Sequence, residues 1–376
     1  MKKILFIIHE ASATGAPIMI NNLLESSYSK KYKCFVLCIY GGKIENNLKA
    51  NSELAILYDK RIKHSVCDKL INKFIKPKHD FLKKLNQGFF DLVYLNSLAT
   101  LTRLPSLDFL NKNKALLHIH EGPVLIENLN VEKLLSSTIK KFSKIIFVSD
   151  FVKKAIVSKY EIIIEKSQVI PPVNRDLQNF KSDITLLDIP ENSFVVCSSG
   201  SINYTKGVDV FLQIAKNVVN QAKLDRPIYF VWVGRDGDAE IRNHLFHDII
   251  KMRLDCNVMI IPNTDNVIHY FSESDVFLLS SREESFSMVA MENAMLGNPV
   301  VCFDDGNGTN EFINDENGYV VPYLDIQAAS NAILELYNDV ELLKKKSVAI
   351  KKMSLEYSGD GMAKRIFNLI DQVIYG

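Results

Sequence analysis

Two glutamates, Glu284 and Glu292, flank the point where a polar loop sequence gives way to a helical pattern. If a helix begins near Ser287, Glu292 falls in its second turn and Glu284 in the preceding loop. The amides of Ser287, Met288 and Val289 would then lack intrahelical partners, and such a helix start favours an anion such as a diphosphate. The two carboxylates could accept hydrogen bonds from neutral hydroxyls, as a sugar ring and a ribose present.

A second polar segment, residues 198–209, also follows an apolar run and leads into a helical pattern. It contains Gly200, Ser201 and Lys206. An ammonium group at a helix start adds a positive point charge that suits phosphate. An anionic ligand such as a phosphate would therefore suit this segment as well.

His118 and His120 lie at the end of an apolar run and share one side of a predicted strand. Such a pair could bind a metal ion, but the sequence offers no third convergent ligand, so no metal site is predicted. The string Asp236-Gly237-Asp238 could also suggest a metal, and we interpret it as a polar turn after a strand.

The elements that must position these residues are short apolar, β-branched runs alternating with longer segments of helical period. Such runs are typical of strands buried on both faces, and their alternation with helices predicts doubly wound parallel sheets. The predicted strands are Ile4–Ile8, Cys34–Ile39, Leu92–Leu95, Ala115–Ile119, Lys144–Val148, Phe194–Ser198, Ile228–Val233, Val258–Ile261, Val276–Leu279, Pro299–Cys302 and Tyr319–Val321.

Two domains are expected from the break in this pattern. We predict a first domain at 1–171, a linker at 172–191 and a second domain at 192–358, with a final helix at 359–376. In open α/β sheets ligands bind beyond the carboxyl ends of the strands, which is where the polar segments fall. Facing domains of this kind would form a central cleft.

The composition fits a globular protein of 376 residues, with 47% hydrophobic and 24% charged residues and a net charge of +1. That charge hides an asymmetry, because residues 1–170 hold 27 Lys+Arg against 15 Asp+Glu (+12) and the remainder 18 against 29 (−11). The first ten residues lack the features of a secretory signal, and scattered cysteines without a CxxC pair indicate reduced thiols. We therefore expect a cytoplasmic protein.

The residues around the glutamate pair resemble the retaining glycosyltransferases of family 4, which have the GT-B fold. The signature of that family is a Glu, seven residues and a second Glu, followed by a small-residue helix and Gly-x-Pro-Val. The matching positions here are Glu284, Phe286, Ser287, Glu292, Ala294, Met295, Gly297, Pro299 and Val300. Residues 200–207 are similar to the family's Gly-Arg-x-x-x-x-Lys-Gly pattern, with Ser201 in place of the arginine.

For the donor nucleotide, the resemblance implies that Glu292 holds the ribose, that Glu284 lies by the donor sugar and that Lys206 contacts phosphate. It places Phe286 and the amides of residues 287–289 against the sugar and phosphates. Because the arginine is missing at Ser201, neighbouring Arg282 is the candidate to replace it.

For the rest of the site, the resemblance places the Gly15-Ala16 loop against donor phosphates and acceptor, and His120 against the donor sugar. It assigns the nucleobase to the region of Asn263 and Thr264, and Gly200 to the phosphate loop. Residues 304–311 look like the family's glycine-rich loop, and the final helix is expected to cross back to the first domain.

The resemblance implies a metal-independent, retaining transfer from a nucleotide sugar, with a UDP-sugar favoured and a GDP-sugar possible, to a glycan or lipid-linked glycan. No other cofactor and no nucleic-acid partner are expected, and the oligomeric state stays open. The basic stretch Asp68–Leu85 is either a solvated face or a peripheral contact with an anionic membrane at its inner face. Two alternatives are a catalytically silent scaffold of the same fold and a two-domain sugar-nucleotide epimerase.

Overall fold

The computed structural model describes residues 1–58, 79–160, 164–222, 226–234 and 239–376. Cys67, the Asp236-Gly237-Asp238 string and residues 68–78 of the basic stretch lie outside these ranges. The chain divides into two compact units. Unit 1 comprises Met1–Arg175 and Ser358–Gly376, and unit 2 comprises Asp176–Tyr357.

Unit 1 is built on a seven-stranded parallel sheet in the order β3-β2-β1-β4-β5-β6-β7. Nearly all residues of the central strands are buried, as their uninterrupted apolar sequences require. The strands are β1 (Lys3–Glu10), β2 (Lys33–Tyr40), β3 (Glu53–Tyr58), β4 (Leu92–Asn96), β5 (Ala115–Ile119), β6 (Lys144–Phe147) and β7 (Ser167–Val169).

Most helices of unit 1 lie between its strands in the sequence. One further helix of this unit comes from the end of the chain, after unit 2. That last helix buries an apolar face that includes Met362, Ile366 and Ile370. The helices are α1 (Gly15–Glu25), α2 (Glu45–Asn51), α3 (His79–Asn86), α4 (Leu98–Arg103), α5 (Pro123–Leu129), α6 (Glu132–Thr138), α7 (Asp150–Tyr160) and, after the helices of unit 2, α14 (Gly359–Tyr375).

Unit 2 is built on a six-stranded parallel sheet in the order β10-β9-β8-β11-β12-β13. Its core centres on Trp232, Phe211 and Phe230, which are fully buried. The strands are β8 (Phe194–Ser199), β9 (Ile228–Gly234), β10 (Val258–Pro262), β11 (Val276–Leu279), β12 (Val300–Phe303) and β13 (Gly318–Val321).

Six α-helices of the described ranges cover the second sheet. Amphipathic sequences such as Val208–Gln221 turn their apolar residues to the sheet and their polar residues outward. The helices are α8 (Val208–Gln221), α9 (Ala239–Lys251), α10 (Val267–Ser272), α11 (Met288–Leu296), α12 (Ile326–Asn338) and α13 (Val340–Ser354).

Each sheet reverses its strand order once. In unit 1 the reversal falls between β1 and β4, and in unit 2 it falls between β8 and β11. At such a point the loops at the carboxyl ends of the two strands diverge and leave a crevice, which is where open α/β sheets bind ligands. The doubly wound α/β prediction is therefore confirmed, and the topology singles out one crevice in each unit.

All eleven predicted strands are present, and two strands were missed. Both missed strands, β3 and β7, have one sheet edge open. The β3 sequence Glu53-Leu-Ala-Ile-Leu-Tyr58 is rich in helix-forming residues, and β7 has only three residues. Local sequence carries little strand signal in either case.

The segment between β7 and β8 has no regular secondary structure, but it is not a solvated tether. Residues 171–174 are buried, and the Asn22 side chain donates to the Val173 carbonyl (2.9 Å). Further on, the Glu273 carboxylate accepts from the amides of Leu186 (2.7 Å) and Leu187 (3.0 Å). The division between the units falls inside this segment, after Arg175.

Candidate functional site

In unit 2, the loops that follow β8 and β11 meet at the strand-order reversal and are bonded to each other. The Arg282 amide donates to the Thr205 carbonyl (2.8 Å), and the Ser280 hydroxyl donates to the Lys206 carbonyl (3.2 Å). Gly207 makes this approach possible, because it has a φ of 66° and a Cβ there would collide with the Ser280 carbonyl. The two segments predicted to bind phosphate therefore lie side by side and are joined by hydrogen bonds.

Lys206 and Glu284 form an ion pair at the junction of these loops. The Glu284 side chain is only 13% exposed and that of Lys206 29%, so the pair is largely shielded from water. The stem of Lys206 crosses Gly200, where a Cβ would lie 3.2 Å from its Cγ. Ser201 is half-buried in the same loop. The structure thus brings together two residues that the sequence places 78 positions apart.

Helix α11 begins close to where the sequence predicted, with Ser287 as its N-cap. The Ser287 hydroxyl accepts from the Ala290 amide (3.2 Å), as expected of a serine cap. The Ser287 amide, however, donates to the hydroxyl of Thr309 (3.1 Å). The expectation of a free amide at Ser287 is therefore wrong, because the buried Thr309 side chain takes that donor. Met288 and Val289 form the half-buried first turn of the helix.

The glycine-rich segment after β12 holds the Glu284 backbone on both sides. The Glu284 amide donates to the Gly306 carbonyl (2.9 Å), and the Gly308 amide donates to the Glu284 carbonyl (2.8 Å). Gly306 has a φ of 66°, a conformation in which glycine is favoured. Three loops, after β8, β11 and β12, therefore fix the position of the Glu284 carboxylate.

Two other predicted donor residues of α11 and its loop are buried. Glu292 is 4% exposed in the second turn of the helix. The Phe286 ring is 6% exposed and packs against the rings of Phe312 (centroids 5.6 Å) and Tyr357 (6.0 Å). The side chain of Phe286 thus supports the loop from inside the fold, and its backbone is the part left to contact a ligand.

Arg282, the candidate to replace the missing arginine, contacts Asp209 and Tyr204 in this structure. Its guanidinium donates two hydrogen bonds to Asp209 (2.9 and 2.7 Å), donates to the Tyr204 carbonyl (2.7 Å) and stacks on the Tyr204 ring (3.9 Å). The hydrogen bonds from Arg282 lower the pKa of the Asp209 carboxyl. In this structure the Arg282 side chain links the loop after β11 to the segment that follows β8.

Asn263 and Thr264, predicted near the nucleobase, follow β10 at the sheet edge. They lie in a loop two strands away from β8. Asn263 is exposed, and the Thr264 hydroxyl accepts from the Asn266 amide (3.1 Å). No bond described in the structure joins this loop to the Lys206–Glu284 pair.

In unit 1, the predicted donor-sugar residue His120 lies just beyond β5. Its Nε2 lies 2.8 Å from the Oδ1 of Asn96, and the Nδ2 of Asn96 donates to the Ala16 carbonyl (2.8 Å). Gly15 and Ala16, expected in a loop, form the first turn of α1. One amide side chain therefore joins His120 to the glycine segment.

His118 packs inside the sheet and is fully buried. Its Nδ1 lies 2.6 Å from the hydroxyl of Tyr94, and its ring lies 4.2 Å from that of His120, measured between centroids. Burial lowers the pKa of His118 well below its usual value and lowers that of His120 to about 4. Both rings are therefore neutral at neutral pH.

Glu121 fixes the corner between β4 and α4. Its carboxylate accepts from the Ser97 hydroxyl and from the amides of Leu98 (3.0 Å), Ala99 (3.0 Å) and His120 (3.1 Å). Ser97 has a φ of 89°, a conformation that costs a residue other than glycine about 1–3 kcal/mol. The strain is held by these bonds at the strand-order reversal.

Sequence reasoning missed Asn96, Ser97, Asp209 and Thr309. Asn96 and Ser97 directly follow the predicted strand Leu92–Leu95. The available signal was therefore a polar pair at the end of a buried strand, the same signal that identified the other segments. Asp209 and Thr309 act on other site residues through contacts that sequence spacing does not reveal.

Two further structural findings bear on the predictions. Within the described ranges, no group of three or more His, Cys, Asp or Glu side chains is arranged to hold a metal ion. Among the helices of those same ranges, none has the length and apolar character needed to cross a membrane.

Sequence comparison matches residues 180–353 to the family described as glycosyl transferases group 1. The amylovoran biosynthesis glycosyltransferase AmsD of Erwinia amylovora is 28% identical over 170 residues, which are 45% of this chain and 46% of that protein. The capsular polysaccharide biosynthesis glycosyltransferase CapM of Staphylococcus aureus is 25% identical over 167 residues, or 44% of this chain and 42% of that protein. The matches thus span less than half the length of these relatives.

Among solved structures, Anabaena HepE in complex with UDP and glucose superimposes with a TM-score of 0.81. The identity is 16%, and the superposition covers 99% of this chain and 100% of that one. At this identity the likeness concerns the fold, two Rossmann-like units of the GT-B class. The matched segment 180–353, which contains the Lys206–Glu284 pair and helix α11, is therefore similar to the glycosyl transferases group 1.

Proposed function

We propose that the protein is a retaining glycosyltransferase of family 4 that moves a sugar from a nucleotide donor to a hydroxyl of a glycan or lipid-linked glycan. A UDP-sugar is the favoured donor and a GDP-sugar the alternative. The reaction would belong to polysaccharide or glycoconjugate assembly, and the two relatives are named for amylovoran and capsular polysaccharide biosynthesis. The complex of HepE with UDP and glucose supports the choice of UDP.

The observation that carries this proposal is the junction of Lys206, Glu284 and the start of α11 at the strand-order reversal of unit 2. An ammonium group beside a helix N-terminus suits a diphosphate, and a neighbouring carboxylate suits sugar hydroxyls. Glu292, in the second turn of the same helix, is the residue we assign to the ribose.

In the proposed reaction, Lys206 and the amides of the first turn of α11 stabilise negative charge on the departing diphosphate. Stabilisation of developing charge by fixed donors is commonly the largest catalytic contribution of a protein. Glu284 and His120 contact the donor sugar. We assign no protein nucleophile and no metal, and the leaving phosphate helps to deprotonate the acceptor hydroxyl.

A thermal-shift screen of UDP, GDP and their sugar conjugates tests the proposal. A nucleotide at 100 times its dissociation constant stabilises the folded protein by about 2.7 kcal/mol, which raises the melting temperature by several degrees. Glu292→Ala serves as the matched variant and is expected to lose the shift. Incubation of the binding sugar nucleotide with candidate glycan acceptors, followed by proton NMR of the product, then reports the anomeric configuration.

A catalytically silent scaffold is the second candidate, and one specific observation favours it. The family's usual arginine is Ser201 here, and Arg282 is committed to Asp209 and Tyr204. A scaffold would show no melting shift with any nucleotide, whereas the proposed enzyme would bind at least one of them. A sugar-nucleotide epimerase would instead convert the donor alone, without an acceptor.

A further inference from the structure

Asn96 lies in the crevice of unit 1, at the end of the central strand β4. Its side chain is fully buried, and its neighbours in the sheet register are Ile8 of β1 and His118 of β5. Because the strand order reverses between β1 and β4, this is the position from which one side chain can reach both the loop after β1 and the loop after β5. The amide of Asn96 makes those two contacts.

The two contacts determine which way the amide points. The Ala16 carbonyl can only accept a hydrogen bond, so it faces the Nδ2 of Asn96, which donates to it at 2.8 Å. The Oδ1 of Asn96 is therefore turned to the Nε2 of His120, at 2.8 Å. An amide oxygen can only accept, so this Nε2 must carry a proton.

The remaining nitrogen of His120 follows from the charge on the ring. Burial lowers the pKa of His120 to about 4, against the opposing influence of the Glu121 carboxylate, so the ring is neutral at neutral pH. A neutral imidazole carries one proton. With that proton on Nε2, Nδ1 bears a lone pair and accepts hydrogen bonds.

We propose that Asn96 is a positioning residue of the donor-sugar site: it holds His120 as the Nε2–H tautomer and ties it to the first turn of α1. His120 then presents an acceptor nitrogen that fits a sugar hydroxyl. The part of this inference that concerns the sugar rests on the proposed function. The part that concerns the tautomer does not.

A purely structural Asn96 would affect folding and leave the ring chemistry alone. The chain provides a matched control for that case in Asn113, another buried asparagine of unit 1. Its Nδ2 donates to the carbonyls of Leu85 (3.0 Å) and Phe109 (2.8 Å), and Asn113 precedes strand β5 whereas His120 follows it. Asn113→Ala should cost stability without changing the signals of His120.

The first arm of the test is nitrogen NMR of the full chain labelled in histidine, with His120→Gln to assign its signals among the eight histidines. The expected wild-type spectrum at pH 7 shows a protonated Nε2 with a slowly exchanging proton and an unprotonated Nδ1. In Asn96→Ala that proton should exchange rapidly, and in Asn113→Ala it should persist. A wild-type proton on Nδ1, a charged ring, or a proton still protected in Asn96→Ala would overturn the proposal.

The second arm measures binding of UDP and of UDP-glucose by calorimetry. Asn96→Ala should weaken UDP-glucose about tenfold, the loss of one hydrogen bond, and should weaken UDP less, because most of the proposed nucleotide contacts lie in unit 2. An equal loss for both ligands would contradict the positioning role. If Asn96→Ala does not fold, Asn96→Ser, whose shorter side chain cannot hold both partners, replaces it in both arms with the same expected results.

The two arms also separate this inference from the proposed function. If the wild-type chain binds no nucleotide sugar, the proposed function and the sugar contact of His120 both fail. The NMR arm still decides whether Asn96 sets the tautomer.

Discussion

At the scale of single residues, the candidate phosphate site is more nearly neutral than its sequence suggests. Lys206 is paired with Glu284, and Arg282 is paired with Asp209. If the protein has the proposed function, an arriving diphosphate must compete with Glu284 for the ammonium of Lys206. When Lys206 binds the diphosphate, the Glu284 carboxylate becomes available to accept from sugar hydroxyls. The ion pair is then replaced by two ligand contacts, one from Lys206 and one from Glu284.

Replacing Lys206 by methionine tests this exchange. Lys206→Met keeps the apolar stem over Gly200 and removes the charge, so UDP should bind about 10–100-fold more weakly, the value of one hydrogen bond to a charged group. Lys344→Met, which breaks the exposed pair with Glu341 on α13, is the control and should bind as wild type. Calorimetry decides, and equal affinities for the wild type and Lys206→Met would remove Lys206 from the phosphate site.

The low pKa of His120 predicts a pH effect on the stability of unit 1. The folded pKa is about 4 and the ordinary value is 6.5, so the unfolded chain binds the proton first as the pH falls. The stabilisation is complete above pH 6.5 and is lost as the pH falls toward 4, by up to about 3 kcal/mol. His120→Gln should weaken that dependence.

Hydrogen exchange of the β1, β4 and β5 amides at several pH values measures this effect. His118 shifts in the same direction and carboxylates titrate over part of the range, so the informative quantity is the difference between wild type and His120→Gln. A difference that does not change between pH 7 and pH 5 would mean that His120 is not buried in its neutral form.

At the scale of elements, the close approach of the loops after β8 and β11 depends on Gly207. Gly207→Ala places a methyl group against the Ser280 carbonyl at a φ of 66°, and backbone cannot move aside without shifting the Glu284 loop. We expect a loss of about 3–5 kcal/mol in the free energy of unfolding, from strain and overpacking together. Binding of UDP should be lost in parallel.

Gly297→Ala is the matched control in the same unit. Gly297 also has a positive φ (97°), but the nearest atom to an added Cβ is the side-chain Oγ of Ser347 at 3.0 Å, which can rotate away. Gly297→Ala should lower the free energy of unfolding by only about 1–2 kcal/mol, the penalty for the backbone conformation alone. Urea unfolding followed by the fluorescence of Trp232, the one tryptophan of the chain, measures both. Equal losses of stability in Gly207→Ala and Gly297→Ala would show that the contact with the Ser280 carbonyl contributes nothing.

Sequence patterns predicted every strand that lies inside a sheet, and the two strands that they missed are the two edges of the first sheet. The central strands read as apolar runs because both of their faces are covered, whereas β3 lies at an edge and has a composition that also suits a helix. The Ser287 cap was predictable because capping is a local interaction. The partner of Arg282 was not, since Asp209 lies 73 positions away and only folding brings the two together.

At the scale of the whole molecule, α14 belongs to unit 1 although unit 2 precedes it in the chain. Tyr32 donates to Asp371 (2.5 Å) and its ring stacks on that of Phe367 (5.2 Å). Lys114 donates to the Ile374 carbonyl (3.0 Å) near the end of the helix. These contacts make the helix part of the core and not an appendage.

Ile366→Ala should therefore destabilise unit 1 by about 2–5 kcal/mol, the usual cost of truncating a fully buried aliphatic side chain. Asn368→Ala, on the exposed face of the same helix, should change the free energy by less than about 0.5 kcal/mol. Hydrogen exchange of the β1 and β4 amides measures unit 1 separately from unit 2. Equal protection in both variants would show that the helix contributes little to the core.

The discontinuity of unit 1 also sets the order in which the chain can acquire its structure on the ribosome. Unit 2 is continuous and has its complete sequence once Tyr357 has emerged. Unit 1 is begun first but must wait for Ser358–Gly376 before the apolar surface beneath α14 is covered. Since domains fold as units during synthesis, the half made first is the half completed last, and it passes the interval with exposed hydrophobic surface that chaperones recognise.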